Sequence, residues 1–167
     1  MLTLAEFTSP MGLISVAECK ERILAVHFGD TESLLGHHPA LLDRPCRTSA
    51  PLGPAGRNLR DYLAGRAPSP HAKVDLTLVA SDFDRTVLKR LYRTRPGETL
   101  SYGDLAREVG KPTAARAVGG AMRRNPIPIL IPCHRVVTSI GTLGHYTGGV
   151  DKKEWLLAFE GVELRAA

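Results

Sequence analysis

The sequence has little cysteine: three residues in 167, Cys19, Cys46 and Cys133, with no Cys-X-X-Cys pair among them. An odd count without paired spacing argues against the disulfide framework of a small secreted protein and leaves room for a free, reactive thiol in a reducing compartment. No stretch approaches the roughly 18 consecutive apolar residues of a membrane span. The first residues, MLTLAEFTSPMG, carry an acid early and no basic region ahead of a long apolar run, so they do not read as a secretory signal. Internal repeats and low-complexity tracts are also missing, which excludes solenoids and linker-like chains. These absences together predict a cytoplasmic protein.

What is present is globular. Apolar residues make up 43% of the chain and charged residues 23%, enough for one ordinary domain or for a small domain joined to a larger one. The net charge of +5 and pI near 9.4 favour a polyanionic partner. The excess is not evenly spread. Between Ser101 and Arg135 stand six basic residues, Arg107, Lys111, Arg116, Arg123, Arg124 and Arg135, against only Asp104 and Glu108.

Periodicity divides the chain in two. Apolar and polar residues alternate over Thr3 to Phe7, Leu13 to Ala17 and Ile23 to Phe28, separated by turn-forming residues, which predicts a three-stranded antiparallel meander. Residues 31 to 54 are rich in Gly, Pro and His without a sustained period and read as a loop. Gly56 to Leu63 reads as a helix ending at Gly65, able to cover one face of the meander. The prolines of Ala67-Pro68-Ser69-Pro70 interrupt it, and an extended connector runs to Ala80. The boundary falls there, predicting an N-terminal domain of residues 1–80 and a C-terminal domain of 81–167. The fold class is therefore α+β, a small sheet with a covering helix followed by a mainly helical unit.

In that second unit Phe83, Val87, Leu88, Leu91 and Tyr92 share a helical face. Ser101 and Asp104 resemble a capping box for the next helix, which ends at Gly110. A third helix, Ala114 to Arg124, is basic and rich in small residues. Two short helices joined by a glycine-containing turn fit a helix-turn-helix as well as an ordinary helical hairpin. Asn125-Pro126-Ile127-Pro128 then breaks the helix, Ile129 to Ile131 reads as a short strand, and Gly141 to Gly149 as a loop. Asp151 to Glu160 closes the chain as a helix with Trp155, Leu156 and Phe159 available for packing.

The strand leads into Ile131-Pro132-Cys133-His134-Arg135-Val136. A thiolate is the reactive form of cysteine, and a nearby imidazole or cation lowers a thiol pKa. His134 and Arg135 stand beside Cys133 in sequence. On an extended strand, however, adjacent side chains point to opposite faces, so contact between Cys133 and His134 requires a turn or a bridging water.

Ser101-Tyr102-Gly103, Ala114-Ala115-Arg116-Ala117-Val118-Gly119, Asn125-Pro126 and the IPCHRV segment together resemble the O6-alkylguanine-DNA alkyltransferases, also called methylated-DNA-protein-cysteine methyltransferases. The resemblance covers about residues 82 to 161. It implies DNA repair by a single, irreversible transfer of the alkyl group from O6-alkylguanine, and less efficiently from O4-alkylthymine, to Cys133. His134 would act through a water as base, with Glu160 orienting it and Tyr102 donating toward the departing guanine. Because the target atom is buried in stacked duplex, the nucleotide must be flipped out.

By the same resemblance Arg116 would fill the vacated stack. Ala114, Ala115, Ala117 and Gly119 would let the helix approach the minor groove closely, and Arg123 and Arg124 would meet phosphates. Asn125 would tie the recognition helix to the active-site segment. Val136, Tyr146, Thr147, Gly148 and Gly149 would form the pocket, with Gly148 leaving space for alkyl groups larger than methyl. The implied partner is double-stranded DNA carrying the lesion, with no membrane, no cofactor and a monomeric free protein able to assemble cooperatively on DNA. An N-terminal zinc found in some members is not expected, since Cys19 could match one ligand but the first residues hold no cysteine and position 24 is leucine. Two rival readings are a sensor that binds alkylated DNA without repairing it, disfavoured by a cysteine at position 133, and a helix-turn-helix regulator.

Overall fold

The chain opens with three strands, β1 (Leu2–Ser9), β2 (Gly12–Cys19) and β3 (Arg22–Phe28). They pair antiparallel in sequence order, Ser9 opposite Gly12 and Cys19 opposite Arg22. Lys20 and Glu21, at the second turn, both take positive φ, 49° and 61°, as the tightest hairpin turns require. The computed structural model describes residues 1–164, and this meander forms the centre of its first unit.

The sheet is larger than the sequence predicts. Residues 31 to 54 do not form a loop: they hold helix α1 (Thr31–His37), a single 3-10 turn at Pro39–Leu41 and strand β4 (Cys46–Arg47). Only Leu34 of α1 is fully buried, so seven residues carry no helical period to read. Helix α2 (Pro54–Leu63) follows, and strand β5 (Lys73–Val74) lies inside the expected connector. β4 and β5 add in parallel at the two edges, giving a mixed five-stranded sheet in the order β4-β1-β2-β3-β5.

Both faces of the sheet are covered rather than one. Leu2, Leu4 and Ala17 pack with Leu34 and Leu41 on the α1 side, whereas α2 lies over Val16 and Glu18 on the opposite face. Strands buried on both faces read as continuous apolar runs, and β2 is accordingly buried from Ile14 through Glu18. The buried Glu18 carboxylate accepts the N–H groups of Ala55 (3.3 Å) and Gly56 (3.0 Å), serving the open N-terminus of α2 where Gly53 offers no side chain. A Cβ at Gly53 would stand 2.3 Å from that carboxylate. A side chain there would push that carboxylate off the helix N-terminus.

The second unit is built from helices α3 (Asp82–Leu91), α4 (Tyr102–Glu108), α5 (Ala115–Arg123) and α6 (Val150–Phe159), with two short strands, β6 (Leu100–Ser101) and β7 (Val136–Val137). Ser81 caps α3, and Ser101 and Asp104 form the expected capping box at α4. α3, α4 and α5 pack on one another. α5 buries Val118, Ala121 and Met122 and leaves Arg116, Ala117, Arg123 and Arg124 exposed. β6 and β7 pair in parallel, Ser101 opposite Val137, which brings the start of α4 beside the segment that follows Cys133.

Two local expectations are corrected here. Ile129 to Ile131 is not a strand: Ile129 has φ 73°, and the prolines at 126, 128 and 132 remove the alternate donors that a ladder needs. On α6 the inward side chains are Lys153, Leu156 and Leu157. Trp155 and Phe159 instead stack on each other at 4.9 Å, with Phe159 exposed.

The chain divides into two compact units, residues 1–78 with 126–130, and residues 79–125 with 131–167. The five-residue excursion differs from a single cut near residue 80. It belongs with the sheet because the Val26 N–H donates to the Pro126 carbonyl at 2.9 Å. Among the described residues no helix is long and apolar enough to cross a membrane.

Candidate active site

Pro132 ends the irregular segment and Cys133–Arg135 forms one turn of 3-10 helix, closed by the Arg135 N–H on the Pro132 carbonyl at 2.9 Å. Three residues per turn send three consecutive side chains in three directions. Cys133, His134 and Arg135 are all buried and each meets a different neighbourhood.

Cys133 lines a cavity of about 280 Å³ together with Tyr102, Gly119, Met122, Arg123, Thr138, Gly144, His145, Tyr146 and Thr147. Burial pushes its thiol pKa up, and the Asn125 side chain, the Lys153 charge and the backbone N–H groups of Cys133 and His134 oppose that shift. The largest influences on the thiol come from these groups rather than from the His134 ring or Arg135. The expectation that Arg135 supplies the activating charge is therefore corrected: the turn carries its guanidinium elsewhere.

That destination is Glu160. Arg135 donates Nε to Glu160 Oε2 (2.9 Å) and Nη2 to Oε1 (2.8 Å), and its Nη1 reaches the Thr94 carbonyl at 2.5 Å. His134 Nε2 lies 2.8 Å from Glu160 Oε1. The His134, Arg135 and Glu160 side chains are all but sealed from solvent. Burial alone would raise the Glu160 carboxyl, but hydrogen bonds from His134 and Arg135 hold it at about 2. A carboxylate accepts only, so Nε2 of His134 carries the proton and Nδ1 presents its lone pair. Among the described residues Nδ1 has no hydrogen-bond partner. Burial, chiefly, lowers the His134 pKa against the pull of Glu160, so the ring is a neutral imidazole with one basic nitrogen available.

Tyr102 is the first residue of α4, set by the capping box and by β6 pairing with β7. Burial first, then the neighbouring Cys133, raises its pKa, and Arg123 partly opposes them. The phenol stays protonated and can donate. Tyr146 is buried, and burial followed by the charges of Cys133 and Glu160 keeps its hydroxyl protonated as well. Gly144, at φ 66°, leaves room beside these groups: a Cβ there would come within 3.3 Å of Tyr102 Oη and 3.4 Å of Thr138 Cγ2.

Asn125 donates Nδ2 to the Ile131 carbonyl at 2.9 Å, closing the loop between α5 and the cysteine turn, and its side chain also reaches Cys133. Of the residues expected around the pocket, Tyr146 and Thr147 line the cavity, whereas Val136, Gly148 and Gly149 do not. Val136 is buried, and Gly149 starts α6 with φ 100°. The glycine of this loop that lines the cavity is Gly144. Arg123 faces the cavity, and Arg124 pairs with Asp84. Ala114 and Ala115 begin α5, whose exposed side carries Arg116 and Ala117. No group of three or more His, Cys, Asp or Glu among the described residues could hold a metal ion.

Sequence reasoning missed Lys153. Its fully buried ammonium donates to the Val136 carbonyl at 2.6 Å and to the His145 carbonyl at 3.2 Å, bracing β7 against the cavity loop. Burial lowers its pKa to about 8, countered by the Cys133 charge. The signal was present: Lys153 precedes Leu156 and Leu157 by three and four positions, on their buried face. Replacing it with methionine keeps the volume but strands two carbonyls, an expected loss of about 1–3 kcal/mol. Urea unfolding should show that loss, and the Cys133 thiol should become less acidic and slower toward a thiol-reactive reagent once the Lys153 charge is gone.

A family model for 6-O-methylguanine DNA methyltransferase, DNA binding domain, matches residues 82–162. The chain is 39% identical to a methylated-DNA–protein-cysteine methyltransferase of Cricetulus griseus, over 95% of this chain and 82% of that protein. It is 37% identical to one from Methanosarcina acetivorans, over 94% and 97%. Among solved structures it is similar to Mycobacterium tuberculosis OGT in complex with DNA, with TM-score 0.79 and 30% identity over 95% of this chain and 93% of that one.

Proposed function

Since the chain belongs to the methylated-DNA–protein-cysteine methyltransferase family, we propose that Cys133 is the residue that takes up the alkyl group and that the cavity above it receives the damaged guanine. The protein repairs DNA by transferring an alkyl group from the base to its own cysteine. The observation that carries the residue assignment is the placement of a buried thiol in a cavity with a protonated phenol, Tyr102, and a buried His134–Glu160–Arg135 network at the same turn.

The cavity of about 280 Å³ lies just below the about 300–1,000 Å³ typical of small-molecule sites, suited to one base turned out of the helix. The thiol proton passes through a water to Nδ1 of His134, whose Nε2–H stays on Glu160. The sulfur attacks the alkyl carbon, the S–C bond forms as the O6–C bond breaks, and the electron pair leaves on guanine. Tyr102 donates a proton to the departing ring, matching the proton lost from sulfur. Asn125, Lys153 and the N–H groups of the turn stabilise the transient thiolate.

DNA engagement falls to α5. Arg116 and Ala117 are exposed on it, and the small residues around them permit close approach to a minor groove, with Arg116 filling the gap left by the flipped base. In this reading residues 79–164 carry both the recognition helix and the chemistry. The free protein is a monomer, able to assemble cooperatively on duplex DNA.

The test is stoichiometric. Incubation with a duplex containing one O6-methylguanine should add a single methyl mass to the intact protein, located on the peptide containing Cys133, and further DNA should add nothing. Repaired DNA beside an unmodified protein, or repeated turnover, would refute the reading.

A further inference from the structure

Arg124 follows the last residue of α5 and folds back over it. Its Nε donates to Asp84 Oδ2 at 2.7 Å and its Nη2 to Asp84 Oδ1 at 2.9 Å, a two-point fork on a carboxylate belonging to α3. Asp84 is only 3% exposed at its side chain, whereas the Arg124 side chain is 61% exposed. The charge is thus anchored at one edge and open at the other. Nη1 has no hydrogen-bond partner among the described residues.

The position of that open edge follows from helix geometry. Residues four apart are neighbours on a helix surface, each step turning about 40°, and side chains lean toward the N-terminus, so Arg124 ends the inclined row Arg116–Gly120–Arg124, about 80° round from Arg116. A Cβ at Gly120 would stand 3.0 Å from Arg124 Nη1 and 3.2 Å from Nη2. Gly120 therefore leaves space for a guanidinium lying against the helix. Asp84 on α3, Gly120 on α5 and Arg124 beyond it form one arrangement that holds a planar cation at the end of the row that Arg116 begins.

We propose that Asp84 is a positioning residue that fixes Arg124 as a preformed phosphate clamp at the C-terminal end of that row. The inference rests on the reading that α5 faces DNA. An arginine free in solution loses side-chain entropy when it settles on a phosphate. Here Asp84 holds the guanidinium plane before DNA arrives, and Nη1 remains to donate outward. Ordinary charge bookkeeping predicts the reverse for Asp84, since an acid near the DNA-facing surface should weaken binding to a polyanion. The two accounts differ in sign.

Asp84→Asn raises the net charge by one while removing the charged fork. In fluorescence anisotropy titrations of the full chain on a labelled duplex containing O6-methylguanine, the clamp predicts roughly tenfold weaker binding and a salt slope smaller by about 0.9, one phosphate fewer. Arg124→Lys keeps the charge and a partner for Asp84, so it preserves the fold, but it cannot make the fork. It should lose a similar factor, and the double variant should lose little more than either single one. Single-turnover transfer by Asp84→Asn at saturating DNA should keep its maximal rate, with only the half-saturating DNA concentration rising.

Binding by Asp84→Asn that equals or exceeds wild type overturns the clamp and makes the pair a structural staple alone. So does an additive double variant. If wild-type protein fails to hold the duplex at all, the assignment of α5 to DNA fails instead, an outcome distinct from either.

Discussion

Cys133→Ala should abolish transfer completely: no methyl mass on the protein and no repaired guanine after prolonged incubation with excess lesion DNA. Within the cavity Cys133 is the sole thiol, and the other groups that line it lack a comparable nucleophile for alkyl carbon. Asn125, Lys153 and two backbone N–H groups all act on this one sulfur, and alanine leaves them nothing to stabilise. The substitution removes a single buried atom, so the folding loss should be only about 1 kcal/mol. Cys133 lies on the cavity floor and not on the exposed side of α5, and duplex affinity should stay within about twofold of wild type. Mass spectrometry and anisotropy on the same preparation separate the two effects. Methyl uptake by the alanine variant at any other residue would remove Cys133 from the mechanism.

Glu160→Gln should be the most destabilising change in the site. Its carboxylate is the common acceptor for Arg135 and His134, and glutamine leaves a buried guanidinium without its counter-charge, an effect of about 3–5 kcal/mol. The pH dependence gives a second readout. The folded pKa of Glu160, about 2, lies below its ordinary value of 4.5, so its contribution to stability is full above pH 4.5 and is lost as pH falls toward 2. The stability gap between wild type and Glu160→Gln should therefore be widest near neutrality, narrow below pH 4.5 and close near pH 2. His134, held neutral by burial, also drains stability from both proteins as pH drops below its ordinary 6.5. Transfer should slow as well, because Nε2 exchanges a charged, acceptor-only carboxylate for a neutral amide that can also donate, which no longer fixes the imidazole tautomer. A gap that stays constant from pH 7 to pH 3 in urea titrations would show that the carboxylate charge is not what holds Arg135.

Much of the fold can be read locally. The central meander, the Ser101–Asp104 capping box and the stops at Gly65 and Gly110 follow from a few adjacent residues each. α1 and the edge strands β4 and β5 do not. They span seven, two and two residues, too few to show a period, and they exist because a sheet buried on both faces needs its edges and second face covered. The strand expected before Cys133 fails for the opposite reason, since its apolar residues mark burial and its prolines forbid a ladder.

The sequence by itself determined that a cysteine sits in a proline-broken segment beside histidine and arginine, behind a small-residue basic helix. Those features are local chemistry, and they suffice to identify the family. Only the tertiary structure decided which charge serves which group. Arg135 stands next to His134 in sequence yet binds a carboxylate 25 residues away. Lys153 braces two backbone carbonyls, and Arg124 is held by Asp84 from 40 residues away. A buried charge must be matched by whatever acceptor the packed elements bring within hydrogen-bond reach, and that choice is made by the fold as a whole rather than by neighbours along the chain.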